Sequence, residues 1–144
     1  MIKISATFII TVFCLRVATA GDGMSAAAEK CQNTYGITDP TSIMKEKSMT
    51  LKDENNVDGR CFCECLMTEF GILKQDGSLD VNAVMLEAKT MMKYAEKQGI
   101  KVDENQLKSS VTECGKKGGD GKCMKSYKMW ECLCDLATKT MGTM

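Results

Sequence analysis

The stretch CGKKGGDGKCMKSYKMWEC, residues 114–132, decides the fold. It sets Cys114, Cys123 and Cys132 with eight residues in each gap. Upstream, three residues separate Cys61 from Cys65, and Cys31 precedes both. Six of the nine cysteines therefore stand in one frame. Behind a secretory signal such a frame reads as a set of disulfides, which determine the segments that become neighbours. The first half of the stretch holds four glycines, from Gly115 to Gly121, and reads as a loop. The second half opens a helix from about Lys122 to Lys139.

Residues 1–20 read as the secretory signal. Lys3 lies near the start, an apolar run extends from Ile4 to Leu15, and Ala18-Thr19-Ala20 has the small-residue form that signal peptidase cuts. The run is too short to span a bilayer as a mature helix, and no apolar run of spanning length follows, so stable membrane insertion is not expected. Residues 21–144 are read as one secreted, extracellular domain of 144 − 20 = 124 residues. Loss of Lys3 and Arg16 leaves 17 basic and 19 acidic residues, a net charge near −2, with no basic stripe for nucleic acid. Loss of Cys14 leaves eight cysteines, an even count. No N-x-[ST] sequon occurs.

Working inward, helix signals dominate. Ser25–Tyr35 is alanine-rich and carries Cys31. Asp39-Pro40 reads as an N-cap with proline at the first helical position, opening a short helix through about Met49. Leu51–Gly59 is polar and loop-like. Cys61–Phe70 reads as a helix that Gly71 ends, and Gln75-Asp76-Gly77 as a turn. Asp80 caps a longer helix to about Lys97, closed by Gly99, and Asp103 with Gln106 forms a capping box for a helix to Cys114. At about 100° per residue, Val81, Val84, Met85, Ala88, Met92 and Ala95 share one stripe, away from Glu87, Lys89, Lys93 and Glu96. In the last helix Cys123, Tyr127, Trp130 and Cys134 share one face, and Met129, Cys132, Leu133 and Leu136 crowd the other. A helix apolar on two sides is central, with room for packed core on one side and a cavity on the other.

The cysteine frame, the helical reading and the signal together resemble the insect odorant-binding proteins, of the pheromone-binding and general odorant-binding kind. The three-residue gap of Cys61/Cys65 and the eight-residue gap of Cys123/Cys132 match that family's signature. The segment from Phe70 to Asp80 resembles the turn after its third helix. The resemblance implies an all-α fold, a compact bundle of about six helices around an apolar cavity, cross-linked by at least three disulfides. It implies the pairs Cys31–Cys65, Cys61–Cys123 and Cys114–Cys132. The 48 residues between Cys65 and Cys114 exceed the family's usual spacing, and Cys63 and Cys134 are extra. A fourth bond, Cys63–Cys134, requires their displacements from the Cys61–Cys123 bridge to point at each other, since Cys63 lies about 3 Å beyond Cys61 and Cys134 about 16 Å beyond Cys123. Two buried thiols, or a bond between chains, are the other readings.

Catalysis is not expected. The chain contains no histidine, which removes Ser-His-Asp and Cys-His arrangements and histidine zinc sites. The Cys-x-Cys spacings read as disulfide chemistry rather than a metal cluster. Asp76, Ser78, Asp80 and Glu87 fall at calcium-loop positions, but Val81 stands where the loop needs glycine, so a turn and a helix cap are expected there. No cofactor is expected. The resemblance implies reversible carriage of small hydrophobic molecules, odorants or pheromones, with an odorant receptor or a second copy of the chain as further partners. A non-sensory carrier in saliva, venom or reproductive fluid is one alternative, and an interaction module with a filled interior is another. The candidate pocket residues, on apolar faces of the third to sixth helices, are Leu66, Met67, Phe70, Met85, Met92, Leu107, Val111, Tyr127, Trp130 and Leu133. Tyr127 is the candidate hydrogen-bonding group for a ligand's head; the competing reading turns its hydroxyl to solvent or a backbone carbonyl. Eleven methionines in the mature chain suit either a wall that accepts several shapes or the filling of irregular core gaps. Without histidine, ligand affinity is expected to change little between pH 7 and about 5.5.

Overall fold

A computed structural model describes residues 22–141; the signal segment 1–20 lies outside them. The described residues form six helices in order: α1 (Asp22–Tyr35), α2 (Pro40–Ile43), α3 (Val57–Glu69), α4 (Val81–Lys97), α5 (Glu104–Gly115) and α6 (Met124–Met141). Among the described residues there is no strand, only two isolated bridges, Met44–Leu51 and Leu73–Leu79. The fold is all-α, as the helix signals and the family resemblance imply.

The caps are local chemistry. Asp80 accepts a hydrogen bond from the Ala83 N–H at 3.1 Å, and Asp103 accepts from the Asn105 and Gln106 N–H groups at 3.0 and 3.1 Å. Two helices end in the same way. Gly71 (φ +73°) and Gly99 (φ +80°) turn left-handed, so the Ile72 and Ile100 N–H groups reach back to the Met67 and Ala95 carbonyls, each at 3.0 Å. The segment with calcium-loop spacing is a turn followed by a cap, as expected. Asp76 accepts from both the N–H and the hydroxyl of Ser78, and Asp80 starts α4.

Two boundaries differ from the sequence reading. α2 stops at Ile43 instead of running to Met49. Met44 is extended and pairs with Leu51, and the Lys45 and Lys52 N–H groups donate to the Thr50 and Ile43 carbonyls at 2.8 and 2.9 Å. Residues 43–52 therefore form a tight strap. α6 holds it: the Leu51 N–H donates to the Tyr127 hydroxyl oxygen at 3.0 Å, the Trp130 indole N–H donates to the Met49 carbonyl at 2.9 Å, and Lys128 pairs with Glu54. These contacts over 76 and 81 residues outweigh local helix preference. α3 starts four residues earlier than expected, because Asn56 caps it by accepting from the Gly59 N–H. Gly59 is where the strap touches α3; a Cβ there would lie 2.9 Å from Leu51 Cδ2.

Packing runs in a chain of neighbours: α1 on α3, α3 on α6, α6 on α5, and α5 on α4. Three disulfides follow this order. Cys31–Cys65 joins α1 to α3, Cys61–Cys123 joins α3 to the start of α6, and Cys114–Cys132 joins α5 to α6. Buried Arg60 reinforces the second junction by donating to the Lys122 and Glu54 carbonyls. The fourth bond does not form. Cys63 is a fully buried thiol on α3, while Cys134 lies along α6 in the wall of a cavity.

Candidate functional site

α4, α5 and α6 do not close completely on one another. The space between them is an apolar cavity of about 130 Å³. Val84, Ala88, Met91 and Met92 of α4 line one wall; Leu107 and Val111 of α5, with Val102 before it, line the second. Trp130, Leu133, Cys134, Leu136 and Ala137 of α6 form the third, and Met49 of the strap and Ile72 complete it. Glu87 and Thr140 are the polar members apart from the thiol. Glu87 is exposed, so this part of the wall reaches the protein surface. A second depression, of about 340 Å³, is lined by Glu29, Gln32, Asn33, Gly36, Ile37 and Thr38. Its lining is mainly polar and exposed, and offers an apolar molecule little.

The sequence candidates divide cleanly. Met92, Leu107, Val111, Trp130 and Leu133 come together around the cavity. Leu66, Met67 and Phe70 do not, because α3 lies behind α6, between it and α1, and its apolar face is used in packing. Met85 is also packed core. Tyr127 faces the strap: its hydroxyl accepts from Leu51 and donates to Glu131 at 3.3 Å. Its hydroxyl is thus bonded within the protein, to the strap on one side and to its own helix on the other. Among the wall residues not singled out, Val84 and Ala88 belong to the amphipathic stripe of α4 and Leu136 to a named face of α6, so periodicity could have found them. Met49 has no such signal, since it depends on the strap.

Behind the cavity, α6 and α3 bury two ionisable groups. Burial pushes the Cys63 thiol up to about 12, against a smaller opposing backbone hydrogen bond. Burial likewise raises Tyr127; the Leu51 N–H opposes this, and the Glu131 carboxylate adds to it. Both groups stay neutral in the fold but ionise in the unfolded chain, Cys63 from about pH 9. The folded state then holds more protons, so stability falls as pH rises above about 9, by about 1.4 kcal/mol per pH unit for Cys63. The exposed carboxylates of Asp76 and Glu113 are lowered, by Ser78 and Lys116 hydrogen bonds respectively. Their contributions are lost only as pH falls through those lowered values, below about pH 4. Urea midpoints should therefore be flat between about pH 6 and 8.5 and decline beyond, and Cys63→Ala should flatten the decline. Equal alkaline slopes in the two proteins would refute this assignment.

A disulfide-linked helical bundle with an apolar cavity defines a class of small binding proteins, and comparison with known families makes the class specific. The PBP/GOBP family matches residues 18–135, and the chain belongs to this insect pheromone-binding and general odorant-binding protein family. Its members are secreted binding and carrier proteins for small hydrophobic ligands. No curated protein and no solved structure matches the chain. No described helix is long and apolar enough to cross a membrane.

Proposed function

We propose that this protein is a secreted carrier that takes up small hydrophobic molecules, odorants or pheromones, reversibly into the cavity between α4, α5 and α6. The observation that carries this reading is the cavity itself, walled by hydrocarbon and sulfur with Glu87 and Thr140 as its polar edge. A filled interior, as an interaction module would have, offers no such space. An engineered apolar cavity of about 150 Å³ takes benzene, so about 130 Å³ suits a ring or a short hydrocarbon segment without rearrangement. Six buried carbons contribute roughly 5 kcal/mol gross, whereas micromolar affinity needs about 8 kcal/mol net. A tightly held ligand must therefore be longer, with Met91 and Met92 of α4 swinging aside to admit it. Thioether side chains do this at small cost.

Fluorescence of N-phenyl-1-naphthylamine on binding, and its displacement by linear alcohols, tests the reading. Trp130→Ala should weaken probe binding at least fivefold, since it removes a large wall surface. Phe70→Ala, off the cavity, should leave affinity within about twofold. Failure of the wild-type chain to bind the probe, or equal losses in the two variants, would reject the cavity as the site. Whether the cargo is sensory is a matter of where the chain is made. Expression confined to antennae supports odorants or pheromones; expression in salivary, venom or reproductive tissue reassigns the same carrier to those fluids.

A further inference from the structure

Met49 is the strap's contribution to the cavity wall. It is also one of two non-glycine residues with positive φ among those described, at +57°. The other, Cys123 at +62°, has a covalent reason, its bond to Cys61. Met49 has none. A left-handed backbone on such a side chain persists only where the surroundings over-determine it, and such positions concentrate at ligand-contacting sites.

The surroundings here are specific. The Met49 N–H donates to the Lys45 carbonyl at 3.0 Å, and its own carbonyl accepts the Trp130 indole N–H at 2.9 Å. Two residues on, Leu51 is fixed to the Tyr127 hydroxyl. The fixing groups sit on one turn of α6, and Trp130 is itself part of the wall. α6 therefore sets both its own face of the cavity and the position of the side chain contributed by the strap. We infer that Met49 is a specificity-determining residue, whose held side chain sets the length of the hydrophobic molecule the cavity accepts. This rests on the proposed carrier function. Shortening the side chain opens the cavity toward the strap, where additional methylenes of a longer ligand are buried.

The test is a chain-length profile. The alcohols from 1-hexanol to 1-tetradecanol compete with N-phenyl-1-naphthylamine on the disulfide-bonded wild type, Met49→Ala and Met49→Gly. Both variants should shift the optimum to longer alcohols, with a gain of about fourfold for each further methylene buried. Glycine suits the left-handed backbone, so Met49→Gly should show the shift with a smaller loss of thermal stability than Met49→Ala, which separates the wall from the strap's integrity. A wild-type optimum retained in Met49→Gly overturns the inference while leaving the carrier reading intact. No probe binding by the wild type overturns both.

Discussion

Replacing Cys61 and Cys123 together by alanine removes about 4 kcal/mol of stability, the largest loss among the three cross-links, and lowers Tm by roughly 15 °C. The bridges close loops with sequence separations of 62 for Cys61–Cys123, 34 for Cys31–Cys65 and 18 for Cys114–Cys132. A cross-link restricts the unfolded chain more the longer the loop it closes, so the shortest is worth about 3 kcal/mol. The Cys61–Cys123 bridge also ties α3 to the residue just before α6, the helix on which strap and cavity both depend. Thermal unfolding of the three double variants, without reductant, measures the order. A Cys114–Cys132 variant less stable than the Cys61–Cys123 variant would contradict it.

Ala88→Phe abolishes ligand uptake while leaving the fold standing. Ala88 is in the α4 wall, and a ring added there fills about the volume that is free. The probe should lose more than tenfold in affinity. Because the ring gains contacts that the empty cavity lacks, Tm should hold or rise. Ala137→Phe approaches from α6 and should act alike. Crowding of the wall would appear instead as a lower Tm, so Tm and affinity must be read together. Unchanged probe affinity in both folded variants would place the binding site elsewhere.

The helices and bridges were legible because their signals are local or covalent. Asp80, Asp103, Gly71 and Gly99 punctuate helices through bonds a few residues long. The cysteine spacing, through its family resemblance, implied pairs that the structure forms. The cavity was legible only by half. Periodicity marks Leu107, Trp130 and Leu133 as apolar and inward-facing, but marks Leu66, Met67 and Met85 in the same way, because it cannot tell a face that meets another helix from one that meets a void. The partner of Tyr127 is hidden for a related reason: an aromatic hydroxyl on a buried face needs a partner, and here it is a backbone amide 76 residues away. The strap, and Met49 with it, depends on bonds from α6 that no window along residues 40–52 contains.

Cys63 bears on how the cross-links are kept. It stands midway between Cys61 and Cys65, so in a reduced, unfolded chain three nearly equivalent sulfurs compete for the same partners during oxidation. Folding ends that competition. It excludes solvent from Cys63 and holds its proton up to about pH 12, whereas exchange requires an accessible thiolate. The sulfur best placed to scramble both neighbouring bridges is thus inactivated by the same burial that completes the core. Under oxidising conditions the two bridges beside Cys63 are thereby closed to exchange with it, protected for as long as the helices hold.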